Sequence, residues 1–189
     1  VASHNSYLIN LGSPYELIYN KSMTAFIDEI NRCKMLSINY IIFHPGSHMK
    51  EGEELGIKKI SSALNKIIVN INIEKSNNEK VMLLLETTAG QGSNLGYKFE
   101  QLAKIIENIK FNKIMGVCFD TCHSFTSGYD FRTKNLLDET LNKFNKIIGL
   151  ENLKALHIND SKFDLGSKKD RHEDIGKGYL GIDTFNHII

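Results

Sequence analysis

Short, nearly continuous apolar runs alternate along the chain with longer segments of helical period. Such runs are typical of strands buried on both faces of a parallel sheet. They lie at 40–43, 81–85, 114–119 and 153–158, and residues 1–3 have the composition of the end of a fifth strand. Segments with apolar residues spaced i, i+3, i+4 and i+7 predict helices that pack on this sheet. They lie within 23–33, 60–68, 99–109 and 137–148, the last stopping at Gly149.

The alternation of strands and helices predicts an α/β fold with right-handed crossovers, either an open doubly wound sheet or a (β/α)8 barrel. Each apolar run is followed by a side chain that can bind a metal. These residues are His4, His44, Glu86, Asp120 and His157. In a barrel, all strands end at one rim, whereas in an open sheet only strands beside a switch point meet. Ligand-type residues at five strand ends therefore favour a (β/α)8 TIM barrel.

Histidines and carboxylates in this arrangement predict a site for zinc, manganese or iron. His123, in the predicted loop after the Asp120 strand, and the pair Asp170 and His172 add a further three-ligand set. Any one of these histidines alone would more often be a packed core residue, but five strand ends in register are hard to explain in that way. Eight ligands exceed what one ion takes, so we expect two or three ions that share a carboxylate. Cys118 and Cys122 flank Asp120 and are expected to pack rather than to coordinate.

Charge indicates a local rather than a global attraction for anions. The 189 residues include 23 Lys and Arg against 22 Asp and Glu, a net charge of +1, which argues against a protein that simply coats nucleic acid. The polar stretch 161–178, however, carries a basic cluster beside the predicted metal site: Lys162, Lys168, Lys169, Arg171 and Lys177. Clustered divalent ions beside such a surface favour hydrolysis of a phosphodiester or a phosphomonoester.

Two further segments allow two interpretations each. Gly90–Gly96 can form a tight turn that exposes backbone N–H groups to an anion, or it can be a flexible connection. The Tyr7–Leu8 pair can wedge into a stack of bases, or it can pack at the start of a helix or loop.

Six strings of the sequence, in order, resemble endonuclease IV, the family of zinc-dependent apurinic/apyrimidinic (AP) endonucleases of base excision repair. They are His4–Gly12, Phe43–His48, Glu86–Gly96, Gly116–His123, His157–Lys162 and Asp170–Gly178. The resemblance implies three zinc ions, with manganese as the alternative at one site. It also implies cleavage of duplex DNA 5′ to an abasic site to leave a 3′-hydroxyl, with trimming of 3′ ends as a side activity that the sequence leaves open.

By the same resemblance, His4 and His44 hold the first zinc. The catalytic Glu86 binds both this zinc and a second one, and the second zinc is also bound by Asp120 and His157. His123, Asp170 and His172 hold the third. The resemblance implies that Tyr7 and Leu8 contact DNA, and the basic cluster favours contacts from Lys162 and Arg171. We expect a monomer that acts on double-stranded DNA with an abasic site, and no membrane partner.

Family members are longer, so we expect residues 1–189 to be a partial single TIM-barrel domain, lacking the first strands and the last strand with its glutamate ligand. Two rival hypotheses remain open: a divalent-metal sugar isomerase or epimerase on a similar barrel, and a non-catalytic protein that binds DNA lesions. Three cysteines fit a reducing compartment, but the sequence does not distinguish nucleus, organelle and bacterial cytoplasm.

Overall fold

The computed structural model describes residues 1–71 and 81–189. Five of its strands form one sheet, two pairs of very short strands lie beside it, and six α-helices are interspersed. In chain order the elements are β1 (Ala2–His4), α1 (Glu16–Met35), β2 (Tyr40–Phe43), β3 (Gly46–Ser47), α2 (Glu53–Asn70), β4 (Met82–Glu86), β5 (Asn94–Leu95), α3 (Phe99–Glu107), β6 (Met115–Asp120), α4 (Thr121–Ser127), α5 (Lys134–Ile147), β7 (Leu153–His157), β8 (Asp160–Ser161), β9 (His172–Glu173) and α6 (Ile182–Ile188).

The main sheet is parallel, and its strands follow one another in the order β1-β2-β4-β6-β7. The long strands thus neighbour one another in the order in which the chain supplies them. A doubly wound sheet would reverse direction at a switch point, and this sheet has none among its five strands. The arrangement is an incomplete (β/α)8 barrel, which confirms the predicted fold.

Side chains alternate between the two faces of each strand, and the two faces differ here. Residues such as Ile41 and Leu83 point toward the helices and join the large core, which includes Ile60 and Phe99. The opposite face carries a small second cluster of Ile42, Leu84 and Cys118. Because Glu86 lies two residues beyond Leu84, it extends from this second, inner face at the carboxyl end of its strand.

The pairing of β6 with β7 contains one irregularity. Val117 pairs with Leu153, but Cys118 pairs with Ala155, so β7 has one extra residue at this point. Beyond the irregularity, Asp120 pairs with His157. Partners in register face the same side of a sheet, so this β-bulge places His157 on the inner face beside Asp120.

The predicted strands and helices are confirmed within a few residues, with three differences. His123 was expected in a loop, which is wrong: it lies in α4, a helix that begins directly after Asp120, whose carboxylate accepts from His123 N at 2.8 Å and caps it. The stretch 161–178 contains β9 and the second residue of β8, which pair with each other, and Gly90–Gly96 contains β5, which pairs with β3. Two-residue strands are too short to produce a hydrophobic pattern.

Candidate metal centre

Glu86 is the centre of the first group of ligands. It ends β4 and is almost fully buried. Its Oε2 lies 2.7 Å from His4 Nε2 and 3.3 Å from His44 Nε2. Its Oε1 lies 2.8 Å from His157 Nδ1 and 3.6 Å from His123 Nδ1. One carboxylate thus reaches imidazoles from four segments of the chain, which is the geometry of a ligand shared between ions.

A second group lies beside the first and is joined to it by His123. His123 Nε2 is 3.1 Å from Asp170 Oδ1 and 3.2 Å from His172 Nε2. His172 Nε2 is in turn 3.7 Å from Asp170 Oδ1 and 3.9 Å from Asp120 Oδ2. The structure therefore brings together all eight ligand candidates predicted from the sequence.

The donor set and its spacing fit divalent cations. Two ligand atoms of a tetrahedral zinc lie about 3.3 Å apart, because zinc–nitrogen bonds are about 2.0–2.1 Å long. Three triplets have one ligand atom each within 4.8 Å of the others: His4, Glu86 and His157; His44, Glu86 and His123; Asp120, His123 and His172. These triplets overlap, so the division of the ligands among individual ions stays a prediction.

Hydrogen bonds to the backbone select which ring nitrogen of two histidines faces the centre. His4 Nδ1 lies 2.8 Å from the Asn5 carbonyl oxygen, and His123 Nδ1 lies 2.9 Å from that of Thr87. An Nδ1–H that donates to a carbonyl leaves Nε2 free for a metal. The Nε2 atoms of His4 and His123 are the ones directed at Glu86 and at Asp170 with His172, respectively.

Asn159 and Thr87 support the ligands without belonging to either group. Asn159 Nδ2 donates to Asp120 Oδ2 at 2.7 Å, and Thr87 Oγ1 accepts from Asp120 N at 2.9 Å. Together with the cap at His123 N, these contacts fix both carboxylate oxygens of Asp120. Sequence reasoning missed both residues, because an Asn or a Thr beside a ligand has no spacing that distinguishes it.

Glu86 and the imidazoles around it shift one another's pKa values. Burial acts to raise the pKa of Glu86, but hydrogen bonds from His157, His4 and His44 outweigh it and hold this pKa far below its ordinary value. The hydrogen bond to Glu86 raises the pKa of His4, and likewise that of His157. The contact with the buried Glu86 thus favours the protonated forms of His4 and His157, and a metal that binds these imidazoles has to displace such protons.

The second group behaves in the same way. Burial acts to lower the pKa of His123, but the hydrogen bond to Asp170 and the charge of Asp120 raise it to about 9. The same hydrogen bond lowers the pKa of Asp170. A proton on His123 therefore occupies the space between the ligand atoms in the metal-free protein.

Glu86, Asp120 and His123 are buried, whereas the other five ligand candidates are partly exposed. Asp120 is fully buried, whereas the side chains of His4, His44, His157 and His172 are between 30% and 44% exposed. The partly exposed histidines His4, His44 and His157 lie at the carboxyl ends of strands or directly after them. A large substrate can therefore approach the ligand candidates at these strand ends.

Cys118 and Cys122 are buried and free, and neither belongs to a group of metal ligands among the described residues. Burial raises the pKa of both thiols, that of Cys122 to about 12. Packing rather than coordination is therefore what the described structure shows for them.

Tyr7 and Leu8 follow His4 closely in the chain, and both side chains are strongly exposed. Tyr7 is 87% exposed and Leu8 is 73% exposed. Packing against the protein, the alternative interpretation from sequence, is wrong for these two side chains. A projecting aromatic and aliphatic pair beside an open ligand cluster is suited to contact a bound molecule.

The basic residues of 161–178 surround the second group but differ in their partners. Lys162 Nζ lies 4.0 Å from Glu173 Oε2, Lys177 pairs with Asp174 at 2.9 Å, and the ammonium groups of Lys168 and Lys169 lie over aromatic rings. The Arg171 side chain is exposed and donates to the Asp170 carbonyl oxygen. Lys162 and Arg171 thus keep most of their cationic surface toward solvent.

Gly90–Gly96 forms an ordered turn against the second group. Gly90 has a φ of 74°, and a Cβ at this position would meet the ring of Tyr97. Gln91 Oε1 accepts from the Asp170 N–H at 3.0 Å and so ties this turn to a ligand. An anion in the turn stays a prediction. No helix among the described residues combines the length and the apolar character needed to cross a membrane.

Comparison with known proteins identifies the family of the chain and agrees with its fold. The family model described as "Xylose isomerase-like TIM barrel" matches residues 1–189. A Campylobacter hominis protein named "Probable endonuclease 4" is 48% identical over 190 aligned residues, which cover 100% of this chain and 65% of that protein. The crystal structure of endonuclease IV from Thermus thermophilus is 29% identical, with a TM-score of 0.83 and coverage of 100% and 63%.

A D-tagatose 3-epimerase-like protein shares the fold, with a TM-score of 0.76 and 22% identity over 99% of this chain and 65% of that one. The chain spans less than two thirds of the length of the curated relative and of the solved endonuclease IV. It belongs to the xylose isomerase-like TIM barrel family, and the resemblance to endonuclease IV noted from its sequence is confirmed.

Proposed function

We propose that the protein is a zinc-dependent endonuclease that hydrolyses the phosphodiester bond 5′ to an abasic site in duplex DNA and leaves a 3′-hydroxyl. The observation that carries this proposal is the joined cluster of eight ligands, in which the buried Glu86 reaches four imidazoles and His123 links it to Asp170 and His172. The names of the relatives support it, although the chain spans only part of their length.

The residues present would hold up to three ions. His4 and His44 would bind the first, Glu86 would be shared with a second that takes Asp120 and His157, and a third would lie among His123, Asp170 and His172. When bound, such ions supply a nucleophilic hydroxide near neutral pH and neutralise the charge of the phosphate and of the leaving oxygen. Zinc suits this mixture of imidazole and carboxylate, and manganese is the alternative at one site.

The chain's own residues prepare the centre for this chemistry. Glu86 stays ionised at all physiological pH values, because the imidazoles around it lower its pKa. His4 and His123 present Nε2 because their Nδ1 atoms donate to backbone carbonyls. Asn159 holds Asp120 in one orientation. The ligands therefore need little reorganisation when a substrate phosphate arrives.

Recognition of the DNA would involve the residues around the opening. Tyr7 and Leu8 are exposed, and they would enter a duplex where a base is missing and stacking is already interrupted. Lys162 and Arg171 border the second ligand group and would contact backbone phosphates. The small net charge of +1 then matters little, because the attraction is local.

The deciding experiment incubates the protein with a duplex that contains one abasic site, with zinc and with a chelator. We expect zinc-dependent incision only at the lesion, and a product that a DNA polymerase extends, which identifies the 3′-hydroxyl. Duplexes with 3′-blocked ends test the side activity. Binding of the abasic duplex without incision would support the non-catalytic rival instead.

The sugar isomerase or epimerase hypothesis rests on the shared barrel alone, since the epimerase-like structure is 22% identical. Exposed Tyr7 and Leu8 and the basic residues near His172 have no evident role with a small sugar. Turnover of a ketose in the presence of Mn²⁺, without incision of abasic DNA, would replace our proposal. We also propose a single domain that acts as a monomer, which sedimentation tests directly.

A further inference from the structure

Asp160 is a fully buried carboxylate outside the ligand groups. It follows His157 by three residues and forms β8 together with Ser161. No ion pair involving Asp160 occurs within 4.0 Å among residues 1–71 and 81–189. A buried anion without a cationic partner must be stabilised by hydrogen-bond donors, and here all of them come from the backbone.

Five N–H groups converge on this one side chain. Oδ1 accepts from Ser161 at 2.7 Å and from Leu180 at 2.9 Å. Oδ2 accepts from Gly176 and Gly178 at 3.0 Å each, and from Gly181 at 3.3 Å. Four of these donors belong to the segment 176–181, which carries the chain away from β9. Hydrogen bonds to a charged acceptor are stronger than those between neutral groups.

The segment held in this way is the return path of the loop that carries Asp170 and His172. The β8–β9 ladder pairs only Asp160 with Glu173 and Ser161 with His172. So short a pair of strands is marginally stable alone. On the other side of β8, the Tyr179 N–H donates to the Ser161 carbonyl oxygen at 2.9 Å. The chain on both sides of β8 is therefore fastened through this strand.

We propose that Asp160 is a positioning residue for the second ligand group: it anchors the return path, and thereby keeps His172 and Asp170 facing His123. The inference rests on the proposed function in so far as these three residues bind an ion. Gly178 is part of the same device, because a Cβ there would collide with the Asp160 carboxylate and the Ser161 carbonyl oxygen.

Asp160→Asn tests the proposal. Whichever way the amide is turned, its NH2 group faces at least two backbone donors, because Oδ1 accepts from two and Oδ2 from three. We expect about 10- to 100-fold weaker affinity for one ion only, the range for residues that orient metal ligands, so that elemental analysis of dialysed protein falls by one ion. The other ions remain, which a merely destabilised protein would not show.

Hydrogen exchange provides the readout that does not depend on metal. In chelated protein, the amides of 170–173 and 176–181 should exchange at least about tenfold faster in Asp160→Asn, while those of β4 and β6 stay unchanged. Asp164→Asn is the matched control, because it makes the same change at an exposed carboxylate of the same loop. Unchanged metal affinity and unchanged exchange at 170–173 would overturn the proposal.

Gly178→Ala decides the matter if Asp160→Asn fails to fold. It keeps the carboxylate and displaces it, and its φ lies outside the left-handed region, so alanine adds no backbone strain. The same one-ion loss and the same faster exchange support the proposal, and their absence overturns it. A wild-type protein that binds no ion at His123, Asp170 and His172 would contradict the proposed function, and exchange at 170–173 would still decide the role of Asp160.

Discussion

His123 Nε2 and His172 Nε2 lie 3.2 Å apart, although the two residues are 49 positions apart in the chain. Two neutral imidazoles cannot both direct lone pairs at each other at this distance without repulsion, so a proton or a cation must lie near both. Asp170 Oδ1, 3.1 Å from the same His123 nitrogen, provides the opposite charge. The second ligand group thus favours a proton or a cation between these two nitrogens, and the first two predictions follow from this.

His172→Ala should remove one ion and slow incision of an abasic duplex by about 100-fold or more, because the charge developing on the leaving oxygen loses a stabilising cation. Affinity for the duplex should change much less, since most contacts that give affinity go to phosphates. Single-turnover rates, a binding titration and elemental analysis check this. His187→Ala, at an exposed histidine of α6, is the control. An incision rate equal to that of wild type would remove the third ion from the mechanism.

The stability of the metal-free protein should fall as the pH rises from about 6.5 to 9. His123 has a folded pKa of about 9, above its ordinary 6.5, so its contribution is complete below 6.5 and is lost as the pH passes the folded value. On the acid side, Glu86 and Asp170 have lowered pKa values, so their contribution is present above about 4 and is lost below it. Urea midpoints in chelator between pH 3 and 10 measure both limits. A midpoint that stays flat between pH 6.5 and 9 would contradict the charge assigned to His123.

Tyr7→Ala should weaken binding of an abasic duplex by roughly tenfold or more, the value of one aromatic stacking contact. Because Tyr7 is 87% exposed, the free energy of unfolding should stay within about 0.5 kcal/mol of the wild-type value. The metal content should not change. Fluorescence anisotropy with abasic and intact duplexes measures the effect, and Tyr15→Ala, another exposed tyrosine, is the control. Equal loss with both variants would remove the specific role of Tyr7.

Asn159→Ala should lower the affinity for zinc by about 10- to 100-fold, because Asp120 loses the donor that orients Oδ2. The affected ion is the one that Asp120 shares with Glu86 and His157, so incision should fall together with zinc occupancy. Competition with a chromophoric chelator measures the affinity. Asn31→Ala, on the exposed side of α1, provides the comparison. Full occupancy at the wild-type affinity would show that Asp120 needs no support.

Five of the eight ligand candidates could be predicted from the sequence because each one lies at the end of a recognisable strand. Continuous apolar runs show where strands end, and parallel strands all end at one rim, so His4, His44, Glu86, Asp120 and His157 required only counting. Asp170 and His172 were predicted from their residue types and their spacing alone. Their segment has no apolar pattern, and its contact with His123 depends on long-range packing.

The supporting residues could not be predicted for a different reason. Asn159, Thr87 and Asp160 act through hydrogen bonds whose partners are backbone groups or distant carboxylates. Such bonds have no period in the sequence, and these residue types are common on surfaces. The helical position of His123 was missed because α4 has only seven residues and begins without a connection after β6.

The bulge between β6 and β7 decides on which face of the sheet the imidazole of His157 lies. If β7 paired regularly from Val117 and Leu153, without the bulge, Asp120 would pair with Leu156 and His157 would turn toward the helices. An insertion within β7 therefore differs from one elsewhere on the rim, since one residue added between Ala155 and Leu156 would place Leu156 opposite Asp120 instead of His157. The chemistry of the centre consequently constrains the length of a strand as strictly as it constrains the residue at the end of that strand.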